Sequence, residues 1–204
     1  MFRQDFLLRQ INALAEATAR IAGLVRKKRL PEARVELDVA GKTLLGLDVG
    51  ALEALSDDDL VAFCSTDGQL DGSRMYAMAE LVRLSALVVE ADGQDGKQRR
   101  VRALDLLLVG WLGDPTLRHQ KVDQLIRGLE FQTRGDRPRL LTDRIVEWAT
   151  KTRQLALVED LVFEGSAPEG ALWALAALTD EELAKGGLPR IELEAALSEL
   201  ATRR

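Results

Sequence analysis

The spacing of apolar residues over the first 25 positions predicts a long helix. Apolar side chains recur alternately four and three positions apart, with Thr18 in the one place that they leave open: Leu7, Ile11, Leu14, Ile21 and Val25. Such a seam is typical of an amphipathic helix. A second apolar edge runs beside it: Phe2, Phe6, Ala13, Ala17 and Leu24. Because the stripe is wider than a two-stranded coiled coil needs, it favours packing inside a bundle, and homodimerisation through this N-terminal helix is the alternative.

The next segment fits two interpretations. Residues 33–39 alternate apolar and polar side chains without exception, which is the pattern of a strand. Pro31 nevertheless suits the first turn of a helix, and apolar residues fall at helical spacing around it: Leu30, Ala33, Leu37, Ala40 and Leu44. The local pattern leaves both open, and the internal repeat described below favours the helix.

Capping signals divide the rest of the chain. Ser56 and Thr179 each precede three acidic residues, which we interpret as helix caps rather than metal ligands or an acid–base pair. We expect Ser73 to cap a helix over about 74–91, and Asp114 with Pro115 to begin another that ends near 131. A helix is also expected over about 98–112, and later ones at about 139–151 and 154–165. The last three begin at Pro168, after the Thr179 cap and at Pro189, which makes about ten helices and no secure strand.

Three candidate second helices of helical hairpins share one spacing. Bulky and small residues alternate at steps of three, four and three, with Arg100 as the departure: Leu30, Ala33, Leu37, Ala40; Arg100, Ala103, Leu107, Gly110; Leu155, Val158, Val162, Gly165. Small residues let the two helices of a hairpin approach closely. In addition, ALSDDDL at 54–60 recurs as ALTDEEL at 177–183, which predicts that a hairpin followed by a capped helix is duplicated.

These hairpins resemble tetratricopeptide (TPR) repeats. Trp148 with the series from Leu155 fits the family pattern, and so does Leu24 with the series from Leu30. The copies lie about 70 and 55 residues apart instead of 34, and Lys and Arg stand in the turns where the family has Gly. The resemblance implies an all-α fold of TPR-like hairpins, an α-α superhelix with intervening helices. It would form one domain over 1–204, or two related halves, 1–131 and 139–204.

Three stretches carry a closer resemblance to a bacterial TPR-like family with no assigned activity. They are MFRQDFLLRQI at the start of the chain, Leu47 with Asp48, and WATKTRQLALVEDLVF at 148–163. This resemblance implies a fold and brings no chemistry with it.

Composition limits the class of protein. The 204 residues are 47% hydrophobic but only 4% aromatic, and the formal net charge is −5. This balance argues against a general nucleic-acid binder, because such proteins depend on a basic face. The single cysteine, Cys64, cannot form an intramolecular disulfide. With no signal-peptide or membrane-spanning pattern, we expect a cytoplasmic protein that does not contact membranes.

No catalytic motif is complete. Gly41, Lys42 and Thr43 suggest a phosphate-binding loop, but Glu36 stands where its first glycine belongs. We expect no catalytic residue, no cofactor and no metal site. Cys64, Trp148 and Trp173 are expected in the core, and His119 is expected to be exposed.

Basic residues precede the second helix of all three hairpins. They are Arg26, Lys27, Lys28 and Arg29; Lys97, Arg99 and Arg100; Lys151 and Arg153. Cations suit the end of the first helix but oppose the start of the second, so helix stability does not fully account for them. They are solvated turn residues or, if the hairpins stack side by side, a basic rim for an anion or a partner.

The function expected from these features is that of a non-enzymatic scaffold, which binds an unidentified protein or peptide in a groove between helices. Anion or nucleic-acid contact through the basic turns is the alternative. Enzymatic activity ranks third, because no cluster of titratable residues is evident.

Overall fold

The computed structural model describes residues 2–135 and 137–203, with the side chains of residues 2–10 excepted. The described part contains twelve α-helices, one short 3-10 helix and two strands of two residues each, so the expected all-α class is confirmed. By its contacts the chain divides into two compact units, Met1–Arg134 and Gly135–Arg204. The division falls inside the sequence QTRGDRP, the clearest break in the helical pattern.

The first unit contains seven of the helices. Its elements are α1 (Phe2–Arg26), α2 (Leu30–Leu45), α3 (Val49–Ala54), α4 (Asp57–Phe63), β1 (Ser65–Thr66), β2 (Gln69–Leu70), α5 (Gly72–Ala91), α6 (Lys97–Gly113), the 3-10 helix (Pro115–Leu117) and α7 (Gln120–Gln132). Helix α5 contacts α1, α2, α3 and α6, and fourteen of its twenty residues are buried. It is the central helix of this unit.

Helix α1 packs inside the first unit. Ile11, Leu14, Ala17 and Ile21 are buried, and α1 contacts α2 and α5, as the wide apolar stripe predicts for a bundle helix. Ala13 is exposed, so the second apolar edge is narrower than expected. The side chains of Phe2, Phe6 and Leu7 lie outside the described residues.

The ambiguous segment is a helix. Residues 33–39 all lie within α2, where Ala33 and Leu37 are buried while Val35 and Val39 are exposed. Residues four positions apart share a helix face. The apolar residues of the alternating pattern therefore do not share one buried face, because they divide between two faces of the helix.

Small residues mark a close approach between α5 and α6. Ala103 and Gly110 are buried, and a Cβ on Gly110 would lie 2.9 Å from the Cβ of Met75. This confirms the small-residue prediction for the second hairpin. In the third hairpin the prediction for Gly165 is wrong, because this glycine is exposed, has a φ of 73° and follows the end of its helix.

Two predicted helix starts are wrong. Helix α5 begins at Gly72, and the carboxylate of Asp71 accepts hydrogen bonds from the backbone N–H groups of Ser73 and Arg74, so Ser73 is not the cap. Asp114 opens only the 3-10 helix. Helix α7 begins later, capped by His119, whose Nδ1 accepts a hydrogen bond from the Lys121 N–H at 3.2 Å. His119 is therefore a half-buried cap and not an exposed side chain.

The second unit contains five helices. They are α8 (Arg139–Lys151), α9 (Leu155–Phe163), α10 (Glu169–Leu175), α11 (Asp180–Lys185) and α12 (Arg190–Thr202). Helix α9 contacts α8 and α10, and α12 contacts α10 and α11. Trp148 is fully buried, as predicted. The prediction for Trp173 is wrong: it is 47% exposed, because Leu172 and Leu175 are the residues of α10 that face the core.

Candidate functional site

The hairpin turns of the two units have the same backbone geometry. Lys28 and Arg153 both have positive φ angles, 56° and 58°. The residue after each donates its N–H to the carbonyl five positions back, from Arg29 to Leu24 and from Gln154 to Ala149. Left-handed backbone favours glycine. The positions where the TPR pattern has Gly therefore require glycine-like geometry here as well, although they hold Lys and Arg.

The repeated acidic phrases are helix caps, as predicted. The Ser56 hydroxyl accepts the N–H of Asp59, whose carboxylate accepts the N–H of Ser56. Thr179 and Glu182 form the same reciprocal pair. Each phrase is also bound by an arginine that follows it in the chain, Arg102 in the first unit and Arg190 in the second. Helices α3 and α4 therefore correspond to α10 and α11.

This correspondence aligns Gly50 of α3 with Trp173 of α10, since each lies five residues before the matching leucine, Leu55 or Leu178. Both positions are exposed, whereas the next buried positions, Leu52 and Leu175, match as core residues. The two units therefore differ on this face, which carries an indole in one and no side chain in the other.

A groove of about 320 Å³ opens at Gly50, between α2, α3 and α5. The apolar residues Leu37, Val49 and Val88 lie at its base and are nearly fully buried. Charged side chains stand around the floor: Arg34, Asp38, Glu53 and Arg99. The groove therefore combines apolar residues with fixed polar groups, as binding clefts do, although polar surface predominates in it.

Glu53 fixes the polar side of this groove. It accepts two hydrogen bonds from the Arg99 guanidinium, at 2.7 and 2.9 Å, and another from the Ser85 hydroxyl. Burial by itself would raise the pKa of Glu53, but the hydrogen bonds from Arg99 and Ser85, with the charges of Arg99 and Arg102, hold that pKa below its usual value. Glu53 is therefore ionised at neutral pH and holds Arg99 in place.

Most of the basic turn residues are paired within the chain. Five of them bind acidic side chains: Arg29 with Glu32, Arg99 with Glu53, Arg100 with Glu90, Lys151 with Glu147, and Arg153 with Glu182. The Lys97 N–H donates to the Asp95 carboxylate. Arg26, Lys27 and Lys28 are exposed and form no ion pair with any described residue. The basic turns therefore differ in how many of their residues form ion pairs within the chain.

Two of the three turns lie at the same end of the first unit. Arg34, near the start of α2, forms an ion pair at 2.6 Å with Asp92, which ends α5. This pair brings the turn at 26–29 to the same end as the turn at 97–100, and Arg34 and Arg99 both line the groove. The third turn, 151–153, belongs to the second unit.

Sequence reasoning found Arg99 but missed its partner and the groove. Glu53 lies 46 residues away from Arg99, and no local pattern links them. Arg34 was missed for the same reason, since Asp92 lies 58 residues further on. Gly50 could have been found, because the duplicated phrase aligns it with Trp173, and a Gly opposite a Trp in two copies of one motif indicates a difference between two surfaces.

Cys64 is fully buried, as predicted. Burial and the nearby charge of Asp71 raise the pKa of its thiol to about 12. In the described part of the chain, no group of three or more His, Cys, Asp or Glu side chains is arranged to hold a metal ion. Among residues 2–135 and 137–203, no helix has both the length and the apolarity needed to span a membrane.

Comparisons with protein-family models, with curated proteins and with solved structures give no match for this chain.

Proposed function

We propose that the protein is a non-enzymatic scaffold of TPR-like type that binds a protein or peptide in the groove between α2, α3 and α5. The observation that carries the proposal is the groove at Gly50, which has the apolar residues Leu37, Val49 and Val88 at its base and two ion pairs, Arg34 with Asp92 and Glu53 with Arg99, beside it. A rigid, concave surface of this kind suits an extended or helical peptide segment.

The duplicated motif suggests the chemistry of the partner. At the position of Gly50 the second unit carries an indole, that of Trp173. In both units the position lies in a short helix that is followed by a capped one. This position therefore suits a large apolar side chain, and in the first unit we expect the partner to supply it.

Binding is tested with a random peptide array, followed by fluorescence anisotropy on the best peptide. We expect selected peptides to share a bulky apolar residue and to bind at micromolar concentration. Gly50→Leu should weaken binding at least about tenfold, because the new side chain occupies the groove. A Cβ at Gly50 meets nothing closer than Asp48 Oδ1 at 3.6 Å, so the variant should fold.

The matched control is Gly128→Leu on α7. Gly128 is an exposed helical glycine whose added Cβ would meet nothing within 4 Å, and it does not line the groove. The Gly128→Leu variant should bind peptide as the unchanged protein does. Failure of every peptide to bind at micromolar concentration, or equal loss in both variants, would contradict the proposal.

A second candidate function is contact with a polyanion through the turn at 26–28. It is favoured by Lys28, which has a positive φ at a position that glycine would occupy with less strain, and by the absence of an ion pair to Arg26, Lys27 or Lys28 among the described residues. Non-glycine residues in this conformation often serve a function.

Single-stranded DNA is the probe for this candidate. Its affinity should fall as salt increases, and it should fall further in the double variant Lys27→Ala with Lys28→Ala. The control is Lys121→Ala with Arg127→Ala, which removes the same charge from exposed positions of α7. An affinity indifferent to salt, or an equal effect of both double variants, would exclude this function.

A further inference from the structure

The second unit exposes two large apolar side chains on neighbouring helices. Trp173 on α10 is 47% exposed, and Ile191, at the start of α12, is 77% exposed. Helix α12 contacts α10, and Arg190 donates a hydrogen bond to the carbonyl oxygen of Ala176, three residues after Trp173. Tryptophan exposed on a rigid helix is typical of protein–protein interfaces, where aromatic residues are enriched.

The charges near these side chains are acidic. Residues 155–200 contain ten acidic residues and only two basic ones. Glu192 and Glu194, which follow Ile191 on α12, are exposed and form no ion pair with any described residue. We call Trp173, Ile191, Glu192 and Glu194 the α10–α12 surface. It combines exposed apolar side chains with negative charge that no cation within the described chain offsets.

The groove in the first unit has the opposite charge at one end. Arg34, near the start of α2, lines the groove. The turn that leads into this helix holds Arg26, Lys27 and Lys28, which are exposed and form no ion pair with any described residue. Surfaces of opposite charge steer two proteins together and fix their register. The α10–α12 surface therefore matches this end of the groove in charge.

The groove also suits an indole in particular. The Asp38 carboxylate lines it, and its Oδ1 accepts the Val49 N–H at 3.3 Å, which leaves Oδ2 without a hydrogen bond among the described residues. The indole N–H of Trp173 forms no hydrogen bond with any described residue. A tryptophan buried at an interface needs apolar contact for its ring and an acceptor for its N–H. Leu37 and Val88 at the base of the groove provide the first, and Asp38 provides the second.

We propose that the partner in this groove is a second copy of the chain, which inserts its Trp173 beside Gly50; the proposal rests on the proposed function above, since it names the partner of the same groove. The duplicated motif supports it, because the second unit carries at this position the side chain that the first unit lacks. Every copy carries both the groove and Trp173, so the contact joins two unlike surfaces. Such contacts close into a ring, of which a dimer is the smallest, or continue as a filament.

Analytical ultracentrifugation of the full chain tests self-association. We expect a mass above that of the monomer, which rises with protein concentration over about 1–100 μM. It should fall as salt is added, because salt screens the opposite charges. A protein that stayed monomeric over this range would overturn the inference. The proposed function would still stand in that case if array peptides bound the unchanged protein and Gly50→Leu weakened their binding.

Two variants that each lack one half of the contact give a sharper test. Gly50→Leu fills the groove but keeps Trp173, whereas Trp173→Ala removes the indole but keeps the groove. Each variant alone should self-associate at least about tenfold more weakly than the unchanged protein. An equal mixture of the two should form a complex of one chain of each, which also shows that both variants fold. Unchanged self-association of Gly50→Leu, or no complex in the mixture, would overturn the inference.

The matched control for Trp173→Ala is Phe131→Ala. Phe131 is an aromatic residue of α7 that is 74% exposed and does not line the groove, so this variant should self-associate as the unchanged protein does. Glu192→Lys tests the charges and should weaken self-association at least about tenfold. Glu16→Lys makes the same change at an exposed position of α1 and should have no effect. Equal effects of either variant and its control would overturn the inference.

Discussion

Arg102 and Arg190 make the same three contacts with two copies of one sequence phrase. The Nε of Arg102 donates to the Asp57 carboxylate at 2.8 Å, and its Nη atoms donate to the carbonyl oxygens of Glu53 and Leu55. Arg190 binds Asp180, Ala176 and Leu178 in the same order, with the carboxylate again at 2.8 Å. Yet Arg102 lies inside α6 and follows its phrase by 45 residues, whereas Arg190 begins α12 and follows by 10. The two units therefore share the geometry of the phrase, although the arginine that binds it comes from a different element in each unit.

Replacing either arginine by lysine should destabilise its unit. An ammonium group cannot bind two carbonyl oxygens and a carboxylate in this arrangement, so some of these acceptors lose their donor, and three of the four carbonyl contacts are partly buried. We expect Arg102→Lys and Arg190→Lys each to lower the free energy of unfolding by about 1–3 kcal/mol in urea denaturation. Arg127→Lys, at an exposed position of α7, should change it by less than about 0.5 kcal/mol. Losses no larger than that of the control would show that the shared contacts contribute little.

The positive φ angle of Lys28 predicts a stabilising substitution. Lys28→Gly removes the steric cost of a side chain in left-handed backbone, and Lys28 forms no ion pair with a described residue that would be lost. The free energy of unfolding should rise by up to about 1 kcal/mol, measured in urea. Arg153→Gly should gain less, because it also removes the ion pair with Glu182. Lys27→Gly, which changes a neighbour without positive φ, should gain nothing; an equal gain there would argue against strain at Lys28.

The parts of this fold that sequence could predict depend on short-range rules. Caps such as Ser56 and Thr179 act within three residues, so both were recognised. The helical spacing of apolar residues, taken together with the internal repeat, correctly predicted that α2 is a helix. His119 and Ser73 were misassigned because several residues near each start can cap a helix, and the choice depends on where the backbone turns.

The groove could not be predicted, because it is built from long-range contacts. Glu53 with Arg99 and Arg34 with Asp92 join elements that are distant in sequence. Trp173 was misplaced because helical spacing alone does not distinguish the core face from the opposite one in a helix of seven residues. Its exposure becomes informative only beside Gly50, through the duplicated motif.

Gly110 should not tolerate a side chain. An added Cβ would lie 2.9 Å from Met75 Cβ and from Leu117 Cδ1, so Gly110→Ala forces α5 and α6 apart. We expect it to lower the free energy of unfolding by about 1–3 kcal/mol in urea denaturation. The control is Gly128→Ala, where the added Cβ meets nothing and helix propensity should raise stability by up to about 1 kcal/mol. A gain in both variants would show that the hairpin is packed less tightly than described.

Glu53 predicts a dependence of stability on pH. Its pKa in the folded chain is lower than usual, so its contribution is present above the unfolded-state pKa and is lost as the pH falls through the folded-state pKa. Glu53→Gln should therefore lower the free energy of unfolding by about 1–2 kcal/mol at neutral pH, since Arg99 loses its partner in a partly exposed site. The difference from the unchanged protein should shrink as the pH is lowered, because protonation removes the same charge.

Glu147→Gln is the matched control for this prediction. Glu147 pairs with Lys151 on a more exposed surface, at 2.7 Å, and exposed pairs contribute little. Its substitution should change stability by less than about 0.5 kcal/mol at any pH. If Glu53→Gln behaved like this control, or if its effect grew in acid, the ionised carboxylate would not be what holds Arg99 at the groove. The groove would then lack the fixed polar side on which its proposed function depends.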